Sequence, residues 1–132
     1  MILADSSALI EYYRPDGQDR AKSAVVAAIS ADTLATNGII QVEVVAFAKS
    51  ERDFEKLRRD FRAFHQIDLH PAVFELATSL GFRLRRQAIT VPTTDLIIAA
   101  SAIQGDATLL HLDRHFDQIA EHSELKASNL TQ

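Results

Sequence analysis

A chain of 132 residues with 47% hydrophobic and 24% charged positions can bury one core, is short for two ordinary domains, and is too apolar for a disordered tail. With no cysteine, disulfide scaffolds, thiol catalysis and Cys-ligated zinc are excluded, and a net charge of −4 argues against holding nucleic acid by overall charge alone. The longest stretches free of Asp, Glu, Lys and Arg, residues 33–42 and 96–105, fall far short of the ~18 apolar residues of a membrane span, and Asp5 interrupts the opening apolar run where a signal peptide would continue. A soluble cytoplasmic protein without membrane contact is expected.

Ile2-Leu3-Ala4 is a short apolar run ending on Asp5, and Ser6-Ser7 opens a helix through Tyr12. Arg14-Pro15-Asp16-Gly17 reads as a turn, and Ala21, Ala24, Val25, Ala28 and Ile29 have the spacing of an amphipathic helix. Residues 33–36 form the second expected strand, and Asn37-Gly38 turns into a helix that is apolar almost all round, from Ile39 to Phe47. Phe54, Leu57, Phe61 and Phe64 mark one stripe of a highly charged helix, and Ile67-Asp68-Leu69 is a weak third strand. A helix follows Pro71, carried by Val73, Leu76, Ala77, Leu80 and Leu84; Pro92-Thr93-Thr94 opens another, from Asp95 to about Gln104. Residues 107–112 are a strand ending at Asp113, followed by a helix around Phe116 and a last short strand near residues 125–127. Strands separated by helices imply a parallel sheet covered on both faces, whose ligands sit beyond the carboxyl ends of the strands. Asp5 and Asp113 fall at those ends.

Each of four acids has an ordinary structural reading. Asp5 caps the helix starting at Ser6, and Asp113 caps the helix after the best strand. Asp95, in the first turn of an apolar helix, gains roughly 0.3–1 kcal/mol from the dipole. Glu43 snorkels or finds one partner between Val42 and Val44, yet an unpaired buried carboxylate costs several kcal/mol. Taken together they read differently. Gathered at one sheet edge within ~4–6 Å, each close pair of carboxylates would repel by about 4 kcal/mol at an effective dielectric of 20. A hard divalent cation removes that repulsion. Oxygen ligands without Cys or paired His spacing point to Mg²⁺ or Mn²⁺ rather than zinc, and such an ion activates water and neutralises charge on a phosphate. Phosphodiester hydrolysis is the chemistry that suits this set.

Ser7 either orients a carboxylate or metal-bound water, or simply starts its helix. His111 and His115 flank Asp113 and are read as solvent-facing or substrate-edge groups; Asp117, one turn beyond Asp113, is a solvated acid or a water-mediated ligand. Arg52, Lys56, Arg58, Arg59 and Arg62 are interleaved with acids and read as a solvated face. Arg83, Arg85 and Arg86 have no acid between them and are the candidate contacts to a phosphate backbone.

The opening Met1-Ile2-Leu3-Ala4-Asp5-Ser6-Ser7-Ala8-Leu9-Ile10-Glu11-Tyr12-Tyr13-Arg14-Pro15 resembles that of PIN-domain proteins, especially the VapC-type toxins of bacterial toxin–antitoxin pairs. Asp5 and Ser7 match the family's leading Asp-x-Ser/Thr, and Glu43 matches its helical glutamate. Pro92-Thr93-Thr94-Asp95-Leu96-Ile97-Ile98-Ala99-Ala100 matches the motif of the third acid, and Leu109-Leu110-His111-Leu112-Asp113-Arg114-His115-Phe116 that of the fourth. Each motif is weak alone; the set, in this order across nearly the whole chain, is specific. Many members carry an acid two residues beyond the fourth acid, where this chain has His115.

The resemblance implies one PIN-like domain over residues 1–132, a three-layer α/β/α sandwich with a short, mainly parallel sheet. It also implies a Mg²⁺- or Mn²⁺-dependent endoribonuclease acting on structured RNA such as tRNA or rRNA. Asp5, Glu43, Asp95 and Asp113 would be its catalytic, metal-holding acids, with Ser7, Thr94 and Asp117 supporting them. A homodimer, and a cognate antitoxin that wraps the toxin and obstructs its site, are implied as well. Three other readings compete. A phosphoryl-accepting switch domain has a similar size and sheet, but wants adjacent acids after the first strand and a late lysine; Ser6-Ser7 follow Asp5, and the late lysine is Lys126. A haloacid-dehalogenase-type phosphatase wants an aspartate where Ser7 stands. A PIN domain that only binds RNA or protein would have lost one of the acids, and all four are present.

Overall fold

Consecutive buried side chains, not alternating ones, characterise the central strands in the computed structural model, which describes residues 1–131. Five strands, β1 (Ile2–Ala4), β2 (Leu34–Thr36), β3 (His65–Gln66), β4 (Thr108–His111) and β5 (Lys126–Asn129), form one sheet in the order β3-β2-β1-β4-β5. Every pairing is parallel. Leu34, Ala35 and Thr36 are all buried, as are Leu109, Leu110 and His111, because helices cover both faces of such a sheet.

Seven helices make those covers: α1 (Ser6–Tyr13), α2 (Asp19–Ser30), α3 (Gly38–Val45), α4 (Glu51–Ala63), α5 (Pro71–Arg86), α6 (Thr93–Gln104) and α7 (Arg114–Glu121). The connections from β1 to β2 to β3 run one way along the sheet, and those from β3 to β4 to β5 run the other. Right-handed crossovers therefore put α1–α4 and α5–α7 on opposite sides. Leu3, Leu9, Ile40, Ile98, Leu109, Phe116 and Ile119 fill the space between, each fully buried and each stabilising by roughly 1.5–3 kcal/mol. A smaller cluster of Val73, Ala77, Leu80 and Ala100 joins α5 to α6. Gly81 permits that approach: a Cβ there would come within 2.9 Å of Leu96 Cδ1.

The two edge strands lie off the expected positions. The third is His65–Gln66 rather than residues 67–69, although Ile67 still donates its N–H to Thr36 O at 2.9 Å. The last is Lys126–Asn129 rather than residues 125–127. Edge strands bury one side at most, so polar residues do the pairing while neighbouring Ile67 and Leu125 supply the apolar signal by packing on the core. The apolar helix α3 also stops at Val45, leaving Phe47 beyond it and 78% exposed.

Helices α2, α5 and α6 end alike. Asp32, Ala88 and Asp106 take φ of 56°, 60° and 50° just past the three C-caps. Thr33, Ile89 and Ala107 donate back to Ala28, Leu84 and Ala102, each at 2.9 Å, closing a Schellman turn without glycine. Ala88 carries a Cβ in that left-handed conformation with no side-chain polar group to compensate. Ala88→Gly is expected to stabilise the fold by about 1 kcal/mol, read as a higher urea midpoint at unchanged m-value. Among the described residues no helix is long and apolar enough to cross a membrane.

Candidate active site

The direction of the connections reverses between β1 and β4, which are hydrogen-bonded neighbours. No crossover covers the crevice beyond their carboxyl ends, and this is where open parallel sheets take ligands. Asp5 follows β1, and Leu112-Asp113 follows β4. Asp5 N–H donates to Leu110 O at 2.9 Å, so the two strand ends are tied at the acid itself.

Asp5 is 4% exposed and caps α1: its Oδ2 accepts from Ser7 N at 3.1 Å and from Ser7 Oγ at 2.7 Å. Ser7 Oγ in turn accepts from Leu112 N at 3.1 Å. One hydroxyl thus orients the carboxylate of the first strand and fixes the backbone that leads to Asp113. The capping role and the orienting role both hold, and they use one oxygen of Asp5; no hydrogen bond among the described residues reaches Oδ1.

Asp95 enters from the first turn of α6 with a side chain 13% exposed. Burial raises its pKa from 3.8 to about 6, and the charges of Asp5 and Asp113 push the same way, against an opposing hydrogen bond from His115. The charges of Asp5 and Asp113 thus bear on Asp95 from both strand ends. Glu43 projects from α3, its pKa raised by burial and by Asp5 and lowered by Ser6; its Oε1 is buried and has no hydrogen-bond partner. A buried lone pair without a donor, beside acids that repel, is a demand for a cation. The donor set, carboxylate oxygens converging from β1, β4, α3 and α6, fits a divalent one.

One of the two histidines departs from expectation. His111 is fully buried rather than solvent-facing. Its Nδ1 accepts Asp113 N–H at 3.1 Å, and its Nε2 points toward Asp117 Oδ1, 3.5 Å away. Burial lowers its pKa, with Asp117, Asp5 and Asp113 opposing, so the neutral ring keeps the lone pair that holds the Asp113 backbone. Asp117 accepts from Asn129 Nδ2 at 2.7 Å, which makes it a brace between α7 and β5 rather than a freely solvated acid. His115 lies at the edge of the crevice, 32% exposed, with its ring turned to the acids: Asp95, Asp113 and His115 offer ligand atoms that all lie within 4.8 Å of one another. Neither histidine's position was visible in the sequence, where only their flanking of Asp113 showed.

Other expected positions stay apart from this cluster. Thr94 is exposed beside Asp95 and makes no side-chain hydrogen bond among the described residues. Arg83, Arg85 and Arg86 are exposed in the last turn of α5, with Arg86 over the Phe82 ring at 5.9 Å, and no ion pair among the described residues joins them to the acids. The mixed-charge helix α4 is largely solvated, as expected, with Lys56 paired to Asp60 at 3.0 Å.

Fold and site together define a class: a parallel α/β domain that gathers acids at its topological switch point. The model of the PIN domain matches residues 2–122, and the chain belongs to the PIN-domain family, with the VapC ribonucleases as its relatives. It is 30% identical over 132 residues to VapC ribonuclease Mb1587 of Mycobacterium bovis and to ribonuclease VapC11 of Mycobacterium tuberculosis, covering 98% of each chain. Among solved structures, VapBC2 from Rickettsia felis bound to a promoter DNA fragment shares the fold at a TM-score of 0.78 and 21% identity, with 98% of both chains covered. FitAcB from Neisseria gonorrhoeae does so at a TM-score of 0.79 and 19% identity, covering 98% of this chain and 97% of that one.

Proposed function

We propose that this protein is a Mg²⁺- or Mn²⁺-dependent endoribonuclease, the toxin of a toxin–antitoxin pair, with Asp5, Glu43, Asp95 and Asp113 as its catalytic acids. The observation that carries the reading is the crowding of Asp95 by Asp5 and Asp113 at the β1–β4 crevice, with Glu43 Oε1 left without a partner nearby. Asp5, Asp95, Asp113 and Glu43 would hold the ion, which when bound supplies charge neutralisation at a phosphate and a water of lowered pKa. The rest falls to the chain. Ser7 locks the Asp5 carboxylate, His111 holds the Asp113 backbone, and the fully buried Phe116 pins the turn of α7 that follows. Rigid placement of acids at strand ends and on helices, rather than on long loops, suits in-line attack on a phosphodiester.

RNA is the expected substrate, a structured one by family resemblance, handled in the cytoplasm by residues 1–132 acting as one PIN-like unit. An antitoxin is the expected partner, supported by a groove of Ile10, Tyr13, Val44, Phe47 and Leu57 rimmed by Arg14, Lys49 and Lys56. The homodimer belongs to the same reading, with Phe74 and Phe82 exposed on α5. Cleavage of a mixed RNA pool, measured with chelator and after restoring Mn²⁺, tests the activity; metal-independent cleavage, or none under either condition, overturns it.

The cations that hold RNA are assigned to Arg83, Arg85 and Arg86. Arg85→Ala with Arg86→Ala, in an Asp5→Asn background that prevents cleavage, is expected to weaken RNA binding and reduce its salt slope by roughly one unit per lost phosphate contact. If the arginines serve only the helix dipole, affinity and slope stay unchanged and stability falls by roughly 1 kcal/mol at most.

A further inference from the structure

Position 115 carries an imidazole beside the last of the acids, and its placement goes beyond a chance neighbour. Asp113 Oδ1 accepts the His115 backbone N–H at 2.9 Å, which sets the first turn of α7. The ring then lies with Nδ1 3.2 Å from Asp95 Oδ2 and 3.3 Å from Asp113 Oδ1. The ring is 32% exposed, so one side faces the crevice opening while Nδ1 faces inward to the acids.

Those distances have a chemical meaning. In an octahedral site with metal–ligand bonds of ~2.1 Å, neighbouring ligands stand about 3.0 Å apart, the bond length multiplied by the square root of two. One nitrogen and two carboxylate oxygens, 3.2 and 3.3 Å from that nitrogen, match two edges of such a polyhedron meeting at the nitrogen. A nitrogen donor also changes which ion is favoured. Mg²⁺ is hard, prefers oxygen and depends on ligand charge, which the neutral imidazole lacks. First-row transition cations gain from imidazole, and Mn²⁺ is the one that tolerates the carboxylate-rich remainder.

We propose that His115 Nδ1 is a direct ligand of the active-site cation and biases the site toward Mn²⁺ over Mg²⁺. This rests on the metal-nuclease reading and specifies the ion for it. The competing role for the ring is a hydrogen-bond donor that bridges Asp95 and Asp113 and never touches metal.

Electron spin-echo modulation on the full chain loaded with Mn²⁺ reads the bond directly and needs no variant. Nitrogen-14 modulation is expected, and should change when the protein is labelled with nitrogen-15 histidine. In His115→Asp and His115→Asn the modulation should vanish, which assigns it to this ring rather than to His111. Calorimetry without RNA should show the ratio of Mn²⁺ to Mg²⁺ affinity falling about tenfold or more in His115→Asp, by loss of the nitrogen donor and gain of a charged oxygen. Mn²⁺ bound to the wild-type protein without nitrogen modulation overturns the ligand assignment and leaves the nuclease reading intact. No heat and no thermal shift with either ion overturns both.

Discussion

Asp5→Asn is expected to reduce RNA cleavage by more than about 100-fold while leaving the fold in place, since even residues that merely support a metal ligand cost 10–100-fold when changed. The substitution separates the two jobs of this side chain. As an N-cap, Asp5 accepts from Ser7 N and Ser7 Oγ through Oδ2 alone, and an asparagine oxygen accepts equally well. As a cation ligand it must supply charge and the free Oδ1, and an amide –NH₂ there supplies neither. Urea unfolding in chelator should therefore show no loss of stability, and a gain where the Asp5 charge no longer opposes Asp95. Cleavage at the wild-type rate would reduce Asp5 to a capping residue and remove it from the proposed site.

How far the sequence carries the reader depends on what each residue signals locally. Asp5 and Asp113 are readable because a carboxylate directly after an apolar strand run is rare enough to notice, and the parallel order then puts both at one edge. Asp95 is readable from the apolar helix it opens. The edge strands are not: His65–Gln66 and Lys126–Asn129 are polar, and their pairing is set by β2 and β4 rather than by their own side chains. The helix ends are hidden for a related reason, since Asp32, Ala88 and Asp106 adopt a conformation that composition assigns to glycine. The histidines are the instructive miss. Nothing one-dimensional distinguishes a fully buried His111 that accepts a backbone N–H from a His115 that turns its Nδ1 to two carboxylates. Their spacing of four, across a strand end and a helix start, has no periodicity to reveal which way either ring points.

Asp95→Asn is expected to make the metal-free protein more stable at pH 8 and to abolish its stabilisation by Mn²⁺. The first half follows from linkage. The Asp95 pKa is raised by burial, then by Asp5 and Asp113, from 3.8 to about 6, so between those values the folded state binds more protons than the unfolded one. Stability in chelator therefore falls as pH rises from about 4 through about 6, by about 3 kcal/mol, and stays low above that. Asparagine has no charge to desolvate and removes the penalty, so variant and wild type should diverge with rising pH. At pH 4 the two carry similar neutral groups and should unfold together. The second half reverses the order. At a Mn²⁺ concentration 1,000 times its dissociation constant, wild type gains about 4.1 kcal/mol, whereas the variant lacks a ligand and gains little. Thermal melts at pH 8 should thus rank the variant first in chelator and second in Mn²⁺. A variant less stable than wild type in chelator would mean that the His115 contact at 3.2 Å outweighs the crowding. Equal gains on adding Mn²⁺ would place the cation elsewhere. The crossing of the two rankings is the signature of a carboxylate kept for the ion it holds, at the expense of the fold that carries it.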